Sequence, residues 1–144
     1  MKRIVLVIAA AVAASLFALC ALSGCMINSG KANFLNGEAS YDGSTLTVTL
    51  PGNETTGYAW SYLIEGENIE CTVDLYKADE ADNETEGAGG TQTYRFKTTG
   101  PCEGTTIKFA YARSWESSTG DLAGHIDIYT NSAGDITSFA CSDD

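Results

Sequence analysis

Few residues in this chain could do chemistry near neutral pH. His125 is the only histidine, and nucleophilic catalysis needs a serine or cysteine within hydrogen-bond reach of such a base, itself oriented by a third group. The stretch "HIDIYT" puts His125 on the exposed parity of a strand, and nothing in the order of elements forces a Ser-His-Asp or Cys-His pair there. Asp79, Glu80, Asp82, Glu84 and Glu86 could hold calcium, but their spacing departs from the Asp-x-Asp-x-Asp-Gly loop. They read instead as a solvated charged loop. No enzyme, metal site or cofactor is expected from these residues.

The cysteines say more about location than about reactivity. Lys2 and Arg3 precede an almost unbroken apolar run, Ile4 to Ala21, which ends in Leu22-Ser23-Gly24-Cys25. A run of this length could also just span a bilayer as a retained helix. The small-residue exit resembles the bacterial lipoprotein signal, which implies cleavage ahead of Cys25, acylation of its thiol and a lipid anchor on the extracytoplasmic side of a cell membrane or outer membrane. The expected organisation is a signal over residues 1–24, a lipidated tether over 25–37 and one domain over 38–144, monomeric and clear of the headgroups. Without Lys2 and Arg3 the charge is 6 − 19 = −13, which disfavours nucleic acid as a partner.

Cys71, Cys102 and Cys141 then remain in an oxidising compartment, where an odd count allows one disulfide and a spare thiol, or none. Cys71 and Cys102 fall near the same end of the expected fold, which favours that pair. Cys141, on the C-terminal tail, could take either partner.

Period-2 alternation runs through the mature segment. "STLTVTL" sets Leu46, Val48 and Leu50 against Thr45, Thr47 and Thr49, a strand with one dry face and one wet face. The same reading gives Tyr58, Trp60, Tyr62 and Ile64 on one strand and Ile69, Cys71, Val73 and Leu75 on the next. Tyr94 and Phe96, then Ile107, Phe109 and Tyr111, then Ile126 and Ile128 mark three more, and a short strand around Ala39 to Tyr41 leads the series. About seven short strands with turn signals between them predict an all-β, immunoglobulin-like sandwich of two antiparallel sheets, with a closed barrel as the alternative. Alternating strand direction gathers three long loops at one end: "GNETTG", "DEADNETEGAGG" and "RSWESSTGDLAG", called here the first, second and third loops.

The first loop and the strand after it, "NETTGYAW", resemble the Asn-Pro-Thr-Thr-Gly-Tyr/Phe-x-Trp motif of the chagasin family, immunoglobulin-fold inhibitors of papain-like cysteine proteases. "GAGGTQTYRF" and "ARSWE" resemble the family's two other motifs, in order, and the likeness spans Gly37 to Asn131. It implies a protein that blocks a protease cleft from one end of the sandwich. Asn53, Thr55, Thr56, Gly57 and Tyr58 would enter the cleft, with Thr55 to Gly57 across the catalytic cysteine. Gly87, Gly89 and Gly90 would run along one side, and Arg113 and Trp115 along the other. Glu54 and Ser114 stand where the family motifs have proline, and each loses a fixed φ, worth about 0.5–1 kcal/mol of pre-organisation. Read without the resemblance, the same strands and loops suit a non-inhibitory surface module that binds another protein or a glycan.

Overall fold

In the computed structural model, residues 25–27, 30–80, 89–116 and 122–144 are described, 25–27 as backbone. Ten strands follow in order: β1 (Cys25–Ile27), β2 (Lys31–Phe34), β3 (Gly37–Asp42), β4 (Thr45–Gly52), β5 (Tyr58–Glu65), β6 (Ile69–Ala78), β7 (Gly90–Thr98), β8 (Thr105–Arg113), β9 (Leu122–Thr130) and β10 (Ile136–Asp143). They form two five-stranded antiparallel sheets, β1-β10-β9-β8-β5 and β2-β3-β4-β7-β6. The expected sandwich is there, with three strands more than the alternation marked. Among the described residues no helix is long and apolar enough to cross a membrane; the apolar run 4–21 lies outside them.

The core is built from the inward positions of both sheets. Leu46, Val48 and Leu50 of β4 and Phe96 of β7 are fully buried against Ile107, Phe109, Ile126 and Ile128 of the facing sheet. Each such side chain contributes roughly 1.5–3 kcal/mol on leaving water. Tyr62 of β5 meets Tyr94 and Phe96 edge-on, with ring centroids 5.2 and 5.1 Å apart, an arrangement favoured by the ring quadrupoles.

Four expectations are corrected. The segment read as a tether is largely structured, because β2 pairs with β3 from Lys31↔Ser40 to Phe34↔Gly37 and Phe34 is buried against Phe109. Its turn, Leu35-Asn36, takes positive φ at both residues without a glycine, so it carries no ordinary hairpin signal. The tail forms β10, whose ladder slips between Ile136 and Ser138; that bulge spaces Ile136 and Phe139 three apart and hides the period of two.

On β6 a second bulge, between Cys71 and Val73, inverts the faces beyond it. Leu75, expected inward, is 59% exposed, while Asp74, itself exposed, takes the face of its register partner Tyr94 and accepts from Gln92 Nε2 of the same sheet at 2.6 Å. Tyr76 gains the inward parity that Leu75 loses.

The favoured disulfide is absent, and Cys71, Cys102 and Cys141 are all free thiols. Cys102 Sγ lies 3.4 Å from the Asn68 carbonyl, three residues before Cys71, and the Cys71 thiol turns to the Val73 carbonyl at 3.2 Å. Three residues of strand span about 10 Å, beyond the Cα separation a disulfide tolerates. Burial raises the Cys102 pKa, and burial with the nearby Asp143 pushes Cys141 up to about 12, so both are poor nucleophiles at neutral pH.

Phe34→Ala tests the integration of β2. As a core truncation it should cost about 3–5 kcal/mol and lower the melting temperature by roughly 10 °C or more. A tether residue would leave the thermal unfolding curve where it is.

Candidate functional site

The chain crosses from one sheet to the other between Gly52, the last residue of β4, and Tyr58, the first of β5. Glu54–Thr56 form one turn of 3-10 helix in that crossing. Asn53 caps it, its side-chain oxygen accepting from Thr55 N at 3.2 Å and from the Thr55 hydroxyl. Thr56 donates twice to the Asn53 carbonyl, from N at 3.2 Å and from Oγ1 at 2.7 Å. Gly57 closes the turn with φ +82°, a left-handed conformation that suits glycine, and its N–H reaches the Glu54 carbonyl at 3.0 Å. Glu54, Thr55 and Thr56 are all exposed, so the turn is a projecting tip with its backbone bonded inward.

The start of the third loop leans on this tip. A methyl group on Gly57 would stand 2.6 Å from Trp115 Cη2, so the indole lies directly on the glycine backbone while remaining 69% exposed. Arg113 places its guanidinium 4.6 Å from the Tyr58 ring centre and 5.7 Å from that of Trp115, with Nη1 3.9 Å from Glu116 Oε1. Cross-strand pairing sets this up, because Tyr58 faces Arg113 and Trp60 faces Tyr111. Tyr111 stacks on Tyr58 at 5.4 Å and on Trp60 at 4.7 Å, and the stack runs from Arg113 down into the sheet.

The base of the second loop adjoins the same tip. Register places Gly52 opposite Gly90, and Gly90 opposite Ala78; Asp79 N continues that ladder to the Gly89 carbonyl at 2.9 Å. A Cβ on Gly89 would lie 3.3 Å from the Gly52 carbonyl oxygen, and one on Gly90 would strike the Tyr76 phenol, so both glycines permit close backbone approach. Gly87, with Asp82, Glu84 and Glu86, lies outside the described residues.

Of the residues singled out from sequence, Asn53, Thr55, Thr56, Gly57, Tyr58, Gly89, Gly90, Arg113 and Trp115 therefore gather at one end of the sandwich. Sequence reasoning missed Tyr76 and Tyr111 as part of this assembly. Tyr111 reads as a core residue from its parity alone; the signal it carries is a phenol near a strand end that must find a polar partner.

His125 lies apart from this end group. Its Nδ1 is 3.2 Å from Asp144 Oδ2 and its Nε2 3.9 Å from Asp127 Oδ2, so it ties the last residue to β9. Among the described residues no group of three His, Cys, Asp or Glu side chains could hold a metal ion.

The contact of Gly57 with Trp115 is open to a double-mutant cycle. Gly57→Ala alone should cost the left-handed backbone penalty of roughly 1–2 kcal/mol plus displacement of the indole. In a Trp115→Ala background only the backbone penalty should remain. Equal costs in both backgrounds, read from denaturant unfolding, would show that the two loops are uncoupled.

Residues 41–129 match the family model described as chagasin family peptidase inhibitor I42. Among solved structures, the chain is similar to the cysteine protease inhibitor EhICP2 from Entamoeba histolytica, at 26% identity over 53% of this chain and 68% of that one, with a TM-score of 0.45. No curated protein matches. With more than half of its length inside the family model, the chain belongs to the chagasin family of peptidase inhibitors.

Proposed function

We propose that this chain inhibits papain-like cysteine proteases by inserting the Asn53–Gly57 turn into the active-site cleft. The observation that carries the reading is the tip itself: exposed residues on a backbone whose hydrogen bonds are already closed inside the protein. Thr55, Thr56 and Gly57 lie across the catalytic cysteine, flanked by Asn53 and Tyr58. Gly89 and Gly90, with Gly87, follow one wall of the cleft by main-chain contact, and Arg113 and Trp115 pack on the other. Tryptophan and arginine are the residue types that most often dominate interface energies.

A closed turn explains why such a loop would block without being cleaved. Attack on a peptide needs its carbonyl carbon in line with the thiolate, and the 3-10 turn commits the Asn53 and Glu54 carbonyls to Thr56 and Gly57 N–H groups. A tip already ordered on the free protein also loses little conformational freedom on binding.

The same reading keeps the lipid at Cys25 and the extracytoplasmic location. Cys25 opens β1, opposite Cys141 of β10, so an acylated residue would join the sheet with no spacer. Mass spectrometry of the mature N-terminus should find Cys25 first and carrying acyl chains; an unmodified Cys25 or a retained Met1 overturns the anchor.

Inhibition is tested by titrating papain with the full-length chain in detergent while following hydrolysis of a small substrate. Stoichiometric, reversible loss of activity is expected. Thr56→Arg should weaken inhibition by about 100-fold or more while shifting the melting temperature by no more than about 5 °C, because Thr56 is exposed and loses only its hydroxyl bond to the Asn53 carbonyl. A folded protein without effect at micromolar concentration would sink papain-like inhibition and favour a non-inhibitory surface module.

A further inference from the structure

The tip has Glu54 where a proline would have fixed φ, yet its backbone is held from below by three aromatic side chains on three strands. Trp60 of β5 donates its indole N–H to the Pro51 carbonyl at 2.8 Å. Tyr111 of β8 accepts the Asn53 N–H on its phenol oxygen at 2.9 Å. The Tyr76 phenol, on β6, lies 3.5 Å from Glu54 N, a long contact. Its ring edge runs beside Gly52, and its hydroxyl occupies the space a Cβ on Gly90 would need.

We propose that Tyr111 is the positioning residue of the inserting turn, and that Tyr76 braces the turn against the base of the second loop. The proposal rests on the protease-inhibitor reading and adds what orients its tip. Asn53 is the cap of the turn, and its N–H lies ahead of the donors that the 3-10 helix itself satisfies. The Tyr111 hydroxyl therefore fixes where the turn begins, while the stack of its ring on Tyr58 and Trp60 fixes the hydroxyl. Either ring interaction survives loss of the oxygen, so the two contributions are separable. Tyr76 is the weaker hydrogen-bond partner and acts through shape, filling the slot between Gly52 and Gly90.

Tyr111→Phe keeps the stacked ring and removes only the acceptor. A turn released from its anchor spends part of its time outside the binding geometry, which lowers the apparent affinity by the fraction of competent molecules. The association rate with papain should fall roughly three- to tenfold, with the dissociation rate unchanged. Amide exchange of the peptide spanning residues 52–57, measured by mass spectrometry on the full-length chain in detergent, should quicken in parallel. Tyr41→Phe, which removes a phenol bonded to the Thr137 carbonyl at 2.8 Å at the opposite end, should change neither quantity.

Unaltered exchange at residues 52–57 in Tyr111→Phe overturns the proposal. A faster dissociation with unaltered association also overturns it, because the hydroxyl would then act on the protease side. If the unsubstituted chain fails to inhibit papain, the inhibitor reading fails, and the exchange measurement alone still decides whether Tyr111 positions the turn.

Discussion

The passage of the chain from one sheet to the other between Gly52 and Tyr58 is the constraint on which the rest of the site depends. Packed sheets lie about 10 Å apart, and five residues must cover that gap while reversing direction. A single 3-10 turn with a left-handed glycine at its end achieves both, and it leaves the middle of the crossing exposed. The polar backbone of such a crossing needs partners, and the protein supplies them from beneath, through Asn53, Tyr111 and Trp60. The outward residues then hold only the turn itself, through the Thr55 and Thr56 hydroxyls on Asn53.

The third and second loops are placed by the strands that carry them. Tyr58 faces Arg113 because β5 and β8 are hydrogen-bonded neighbours, and two residues beyond Arg113 the chain reaches Gly57 with Trp115. On the other sheet, β4, β7 and β6 bring Gly52, Gly90 and Ala78 into one row. The buried layer of Leu50, Tyr94 and Phe109 lies beneath the strand ends that carry Gly52, Tyr58, Gly90 and Arg113, so these ends share one packed base.

Much of this was legible in the chain because strict alternation reports a half-buried strand directly. Leu46, Val48 and Leu50, or Ile107 and Phe109, announce their faces without help from tertiary context. What alternation cannot report is a bulge. The slips at Cys71/Val73 and Ile136/Ser138 each insert one residue, so alternation puts Leu75 on the wrong face and leaves β10 unmarked. Strand β2 escaped for a different reason, being four residues long with a Leu-Asn turn that carries no glycine. The loop residues Thr55 to Gly57, Arg113 and Trp115 are singled out by their motifs, whereas Tyr111 meets the turn through its hydroxyl and Tyr76 through its bulk, and no pattern of polarity along the chain separates either from ordinary core tyrosines. A disulfide argued from strand ends alone failed because parity fixes the end of the sandwich and leaves a separation of about 10 Å undecided.

Resting Trp115 on a bare glycine also bears on how this architecture can be altered or transplanted. A six-residue loop moved onto another sandwich would arrive without the indole that covers Gly57 and without the phenol that receives Asn53 N–H. The portable unit is discontinuous, comprising the crossing itself, the end of β8 and the residues just past it. A change in any one of these pieces alters the surroundings of the others, so the tip would have to be engineered as a set.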